Sequence, residues 1–160
     1  MSAVQAKEIN CALISLADNG GRLLLPKSAV LEVVGMAALD FQPTGPNWLL
    51  GYVDWNEHRI PALSFEALCG KSMPARSRRS RLVVINSAGV HMENGLYALL
   101  SQGHPHLAML SEYALEHETD KHEAVELCKV RIGNTHAVIP DLEAIELHYV
   151  DAMENAAKNG

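Results

Sequence analysis

Residues 48–70, WLLGYVDWNEHRIPALSFEALCG, carry the strongest fold signal in the chain. The segment Leu49–Trp55 is apolar, aromatic and partly alternating, which predicts a half-buried β-strand. The polar residues 56–58 are few enough to reverse the chain, and residues 59–63 predict a second strand. Since Pro61 has no amide hydrogen to donate, we expect this strand to lie at an edge or to end near the proline.

A one-turn helix is predicted immediately after the second strand. Ser64 can accept a hydrogen bond from the first free amides of a helix, Glu66 is favourable in its first turn, and Gly70 can end it. A strand, a tight reversal, a strand and a short helix are typical of a small β-barrel. This arrangement does not indicate a catalytic loop.

Length and composition describe a globular protein. The 160 residues suffice for one domain or two small subdomains, and 48% hydrophobic with 20% charged residues exclude a disordered chain. The net charge of −6 argues against general binding of nucleic acid. Residues 71–80 form the best candidate connector, and the four arginines within residues 76–81 are interpreted as its solvated part.

Signals for export, membrane insertion and disulfide bonding are not found in the sequence. The first ten residues are mixed and polar, and no stretch approaches the ~18 apolar residues that a membrane span requires. Cys11, Cys69 and Cys128 are widely spaced and form no CxxC pair. We therefore expect a cytoplasmic protein with reduced cysteines and no direct membrane insertion.

Further strands are predicted on both sides of this stretch. They cover residues 11–16, 22–25, 82–86, 95–100, 107–110 and 125–130, with a turn at residues 18–21. Residues 28–34 form an apolar run whose length does not distinguish a helical turn from a strand.

The sequence contains a weak internal repeat, in which two segments have the same order of elements. In residues 59–68 and again in residues 137–145, a strand ends in Ile-Pro and continues into a short acidic and apolar helix. This similarity predicts two subdomains built alike. Apolar or small residues at positions 145, 149, 152 and 156 predict a terminal helix that frays.

No motif indicates an active site or a cofactor. The sequence contains no nucleophile elbow, phosphate-binding loop or dinucleotide-binding glycine pattern. A metal-binding protein or an enzyme using the region of His104, His106, His117 and His122 is the alternative function. Pro105 disrupts a strand there and no Cys pair assists, so solvated loop histidines are the default interpretation and no metal is expected.

Apolar strand residues outnumber those that one small barrel needs. They either belong to the core or line a groove between subdomains that receives a partner helix or hairpin, and they are Val30, Leu31, Val33, Val34, Leu99 and Leu100. Glu32 is the least suited to a core, so we expect it to face solvent or a partner.

The central stretch resembles the CheW-like family, scaffold proteins of bacterial chemosensory arrays. The resemblance rests on Gly51, the apolar pair Tyr52-Val53, the polar turn, the strand around Ile60-Pro61 and the Leu-Cys-Gly at residues 68–70, and it extends over residues 11–150. It implies a mainly β fold: two SH3-like, five-stranded barrels around a shared core, with short helices and a C-terminal helix. One domain over residues 8–150, with a helical or frayed tail at 151–160, is then expected. It also implies that the run at 28–34 is a helical turn leading into a strand.

The resemblance also implies an adaptor without enzymatic activity. Such proteins connect the cytoplasmic tip of a methyl-accepting chemoreceptor to a CheA-type histidine kinase. The predicted partner-binding residues are Val30, Glu32, Val33, Asn56, Glu57, Arg59, Leu99 and Leu100. The family commonly has Arg-Gly where this chain has Asn56-Glu57, and aspartate where it has Ser64. These departures fit a specialised chemosensory system, such as one that steers pilus-based twitching motility.

Overall fold

Two curled β-sheets form the fold in the computed structural model, which describes residues 8–17, 21–87, 91–92, 94–119 and 125–159. The strands are β1 (Glu8–Ser15), β2 (Arg22–Pro26), β3 (Val30–Gly35), β4 (Leu39–Phe41), β5 (Leu49–Trp55), β6 (His58–Leu63), β7 (Arg81–Asn86), β8 (Leu96–Ser101), β9 (His106–Ser111), β10 (Leu115–Thr119), β11 (Glu126–Ile132) and β12 (Thr135–Pro140). The α-helices are α1 (Phe65–Leu68) and α2 (Leu142–Asn159). Neither helix is long and apolar enough, within the described residues, to cross a membrane.

Each sheet contains six strands. The order β10-β11-β12-β2-β1-β9 defines barrel A, and β3-β7-β8-β6-β5-β4 defines barrel B. Strands from both ends of the chain therefore build barrel A, whereas the middle of the chain builds barrel B. The described strands pair antiparallel except at the middle of each sheet, where β12 pairs with β2 and β6 with β8 in parallel.

Each barrel was predicted to have five strands, and each sheet has six. The difference arises because one long strand of each barrel is bent and is counted as two. The edge strands of barrel B, β3 and β4, are joined by the single 3-10 turn Met36–Ala38. Those of barrel A, β9 and β10, are joined by the 3-10 turn Glu112–Ala114. Each pair is one long strand that bends at the turn, and its two halves pair at opposite ends of the sheet. Counted in this way, each barrel has five strands.

Successive side chains of the middle strands point to opposite faces, and the apolar side chains form three hydrophobic cores. Leu23, Leu25, Val83, Tyr97 and Leu99 point to one side and meet Ile145 of α2 in a core shared by the barrels. The intervening residues point into a barrel: Leu24 into barrel A, and Leu82, Val84 and Leu100 into barrel B. Because both faces are buried, β7 and β8 are continuously apolar, as their sequences predicted.

Local chemistry explains the central hairpin. Asn56 and Glu57 have φ of 49° and 65°, the left-handed pair that a two-residue hairpin turn requires. β6 is an interior strand, not an edge strand, yet its pairing with β8 begins at Ala62, one residue beyond Pro61. The missing proline amide therefore leaves no gap in that ladder.

The helix ends follow the predicted chemistry. Ser64 caps α1, because its Oγ accepts a hydrogen bond from the Ala67 amide at 3.2 Å. Gly70, with φ of 86°, follows the helix end. The undecided run at residues 28–34 is a 3-10 turn, Lys27–Ala29, leading into β3, as the family resemblance implied. The predicted turn at 18–21 lies, apart from Gly21, outside the described residues.

Candidate partner-binding surfaces

The free edge of β3 forms one exposed apolar strip. Among the strands that the structure describes, β3 pairs only with β7, and a β-bulge between Val30 and Glu32 interrupts this ladder. Leu31, at the bulge, is 42% exposed, while Val30 and Val33 are half-buried. The residues Val30, Leu31 and Val33 are called the β3 strip below. Leu31 can contact a partner without any change in the core, whereas Val30 also packs against the core shared by the barrels.

The structure brings Glu32 next to the central hairpin. The Glu32 carboxylate accepts a hydrogen bond from Nε1 of Trp55, the residue that precedes the Asn56-Glu57 turn. Trp55 also packs against the core of barrel B. Glu32, Asn56 and Glu57 are exposed and lie at one end of barrel B. Three of the predicted partner-binding residues, Glu32, Asn56 and Glu57, thus share a surface, connected through Trp55.

Arg59 belongs to a different face. It pairs with Asp54 across β5 and β6, on the side opposite to Val53 and Ile60, which point into barrel B. Its guanidinium lies 2.6 Å from an Asp40 carboxylate oxygen and 3.5 Å from an Asp54 oxygen. The hydrogen bond with Asp40 raises the arginine pKa above its ordinary value. Arg59 therefore has carboxylate partners within barrel B and lies apart from Glu32.

Leu99 and Leu100 are core residues, so their prediction as partner contacts is wrong. Both side chains have no exposed surface. Leu99 packs in the shared core and Leu100 in the core of barrel B. β8 lies between β7 and β6, so its residues alternate between two buried faces. The groove between subdomains does not extend to this strand.

Sequence reasoning missed a second apolar strip on β9. Leu107 and Met109 are 63% and 62% exposed. Leu110 packs into the core of barrel A, so the alternate positions 107 and 109 point out of that barrel. Leu107 and Met109 are called the β9 strip. The spacing of two residues on a predicted strand was the signal that could have revealed it.

Both strips are connected through β1. β9 pairs with β1, with Met109 opposite Asn10. The 3-10 turn Lys27–Ala29, which leads directly into β3, also contacts β1. β3 therefore starts near β1, the strand that pairs with β9, and the two strips belong to different barrels.

The histidines form separate polar contacts. His136 Nδ1 lies 2.6 Å from a Glu118 oxygen, and His91 Nε2 lies 2.8 Å from a Glu143 oxygen. His104 lies in a loop and His106 begins β9, while His122 lies outside the described residues. Over the part of the chain that the structure describes, no three His, Cys, Asp or Glu side chains come together as metal ligands do.

Comparisons with known proteins agree with this architecture. The chain matches the family model described as CheW-like domain over residues 13–146. No curated protein matches the chain. The fold is similar to the crystal structure of the scaffolding protein TtCheW from Thermoanaerobacter tengcongensis, with a TM-score of 0.66 and 17% identity, over 84% of this chain and 89% of that chain. Since the family model covers most of its length, the chain belongs to the CheW-like family, a family of scaffold and adaptor proteins.

Proposed function

We propose that this protein is a non-enzymatic adaptor that couples a chemoreceptor tip to a CheA-type histidine kinase in the bacterial cytoplasm. The supporting observation is the pair of exposed apolar strips, on β3 and β9, in a protein of a scaffold family. Apolar strand edges of this kind fit the face of a partner helix or hairpin. We further propose that residues 8–150 are the binding unit and that 151–159, the rest of α2, are its tail.

The receptor tip is the proposed occupant of the two strips. Val33 is half-buried at the edge of barrel B, so its side chain can both pack and contact a partner. The exposed Glu32 precedes it on the opposite face of β3 and offers a carboxylate at the rim, oriented by the indole of Trp55. An apolar centre with a polar rim is the usual composition of a specific interface.

The experiment measures binding of a receptor-tip fragment to Val33→Glu and Leu107→Glu variants by calorimetry. We expect each variant to bind at least about tenfold more weakly, because a carboxylate placed in an apolar contact must be desolvated. Leu147→Glu is the matched control, since Leu147 is 37% exposed on α2 and belongs to neither strip. Circular dichroism verifies folding. Wild-type affinity in both strip variants would contradict this proposal.

The Asn56-Glu57 turn is proposed to adapt the protein to a chemosensory system that controls pilus-based twitching motility. The turn places an anion at the end of barrel B where family members commonly have a cation and a glycine. Glu57 also has φ of 65°, a backbone conformation that favours glycine, so a glutamate at this position is less favourable for the backbone than a glycine would be. Replacing the pair with Arg-Gly should strengthen binding to a receptor of the main array. Unchanged affinity would mean that the turn does not select the receptor.

A further inference from the structure

The connector between α1 and β7 concentrates positive charge in an acidic protein. Residues 71–81, KSMPARSRRSR, contain five cations and no aspartate or glutamate, whereas the whole chain has a net charge of −6. Arg76, Arg78 and Arg79 are exposed. Over the residues that the structure describes, none of these three forms an ion pair. Their charge is therefore available to a partner.

Hydrogen bonds hold this connector in a defined shape. The Ser77 amide donates to Ser80 Oγ at 2.9 Å, and the Ser80 amide donates to the Ser77 carbonyl at 3.1 Å. Arg81 Nη1 donates to the carbonyls of Arg78 and Ser80, each at 2.8 Å. Since Ser80 is fully buried, the turn is anchored to the barrel. The arginines project from an ordered turn, and this lowers the entropy cost of binding.

A cavity with both apolar and polar walls lies beside Arg76, one of these arginines. Phe41, at the end of β4, is 51% exposed, and the Arg76 guanidinium stacks over its ring at 4.8 Å from the centroid. Met73 is 36% exposed on the other side. The cavity between them has a volume of about 370 Å³, and its walls include Pro43, Pro46 and Pro74. Such a space fits one large apolar side chain.

We propose that this arginine patch, defined as Phe41, Met73, Arg76, Arg78 and Arg79, docks an acidic protein segment that carries an apolar anchor residue. Charge complementarity selects the acidic chemistry, since cations without carboxylate partners attract anions. The proline-lined cavity accommodates the apolar anchor residue of that segment. A nucleic acid fits less well, because the acidic remainder of the chain repels a long polyanion. This inference adds a contact apart from the β3 and β9 strips and does not depend on the proposed receptor or kinase.

Fluorescence anisotropy tests the proposal with a synthetic, fluorescein-labelled peptide of eight glutamates and two leucines. We expect saturable binding and a dissociation constant raised at least about tenfold by Arg78→Glu with Arg79→Glu, because attraction becomes repulsion. Phe41→Ala should also weaken binding, because it removes a wall of the cavity. Lys27→Glu with Lys158→Glu is the matched control, since it changes the net charge equally at exposed lysines away from the patch.

Several outcomes would overturn the proposal. Equal binding of a peptide in which serines replace the leucines would show that the cavity takes no part. Equal loss in the lysine control would show an effect of net charge alone. Tighter binding of a single-stranded DNA of equal charge would assign the patch to nucleic acid. No saturable binding of the acidic peptide to wild-type protein would leave the patch without its proposed occupant.

Discussion

Gly51 shows how one residue permits the central hairpin to pack. Its φ of 151° is a conformation that side chains rarely adopt. A Cβ atom built there would lie 2.0 Å from the backbone carbonyl oxygen of Asp40 on β4. β4 and β5 approach closely at this point, where Phe41 pairs with Gly51. The glycine that marked the family resemblance is thus required by the contact between two strands.

Replacing Gly51 by alanine should destabilise the protein by about 3 kcal/mol or more, since either the backbone of β4 shifts or the β5 conformation changes. Gly35→Ala is the matched control: it lies on β3 of the same barrel, and a Cβ there meets no atom within 4 Å. Urea denaturation followed by tryptophan fluorescence measures both. Equal stability of the two variants would show that the close approach of β4 and β5 at Gly51 does not contribute to the free energy of unfolding.

A second residue-scale feature is the buried carboxylate of Glu146. It has no exposed surface, and its Oε1 accepts a hydrogen bond from Ser87 Oγ at 2.5 Å. Its other oxygen has no hydrogen-bond partner among the described residues. The serine hydroxyl is therefore a main source of compensation for burying this group.

Ser87→Ala should cost about 2–3 kcal/mol of unfolding free energy, because it leaves a buried carboxylate with less hydrogen bonding. Ser101→Ala provides the comparison: this serine is also buried but donates to the neutral carbonyl of Gly103, so about 1 kcal/mol is expected. Chemical denaturation at pH 7 gives both values. A smaller loss for Ser87→Ala than for Ser101→Ala would contradict the assigned role.

At the scale of elements, two tyrosines connect α2 to barrel B. The Tyr97 hydroxyl on β8 donates to the Leu142 carbonyl at 3.4 Å, and Tyr149 of α2 lies 3.1 Å, oxygen to oxygen, from Tyr52 of β5. Burial raises the pKa of Tyr97, with Glu146 and Asp141 adding to the shift. Burial, followed by the hydrogen bond to Tyr52, raises the pKa of Tyr149.

These raised pKa values predict alkaline loss of stability. The unfolded chain loses each tyrosine proton near pH 10 while the folded chain retains it, so the stability conferred by the neutral form is present below pH 10 and falls above it. The slope is at most about 1.4 kcal/mol per pH unit for each group. Urea denaturation from pH 8 to about 11.5 measures it. Tyr97→Phe and Tyr149→Phe should each reduce the slope, and unchanged slopes would contradict the prediction.

The elements themselves were predictable to different degrees. β5 has the predicted bounds, because its aromatic and alternating residues are followed at once by a polar turn. β4 was missed because its three residues have no period of their own and are ordered by pairing with β5. In β11, a bulge between Glu126 and Cys128 leaves Glu126 buried and Leu127 54% exposed. Such a reversal depends on register, which an alternating sequence does not reveal.

At the scale of the whole molecule, the weak repeat in the sequence corresponds to a repeat in the structure. β3–β6 with α1 and β9–β12 with α2 follow the same order, and each unit is completed by a hairpin, β7–β8 or β1–β2. The Ile-Pro signal was detectable because both copies lie near the end of a strand that precedes a helix: β12 ends at Pro140, whereas β6 continues beyond Pro61 to Leu63. The sequence did not reveal that the N-terminal hairpin β1–β2 completes the unit formed by β9–β12, because this pairing joins residues that lie far apart in the chain.

Candidate site residues were predictable only where local features decide exposure. Glu32 was expected to be exposed because a carboxylate does not suit a core, and it is exposed. Leu99 and Leu100 were misplaced because an apolar residue has the same appearance in a groove and in a core. Their position between β7 and β6 decides the matter, and that position arises from long-range strand pairing.

The most direct test of the adaptor claim is whether this protein joins a receptor-tip fragment and the regulatory domain of a CheA-type kinase from the same bacterium in one complex. Analytical ultracentrifugation of the three purified components measures it. We expect a ternary complex that forms only when this protein is present, and we expect Val33→Glu to release the receptor fragment while the kinase domain stays bound. Sedimentation of all three as separate species, at concentrations of about 50 μM where micromolar complexes persist, would contradict it.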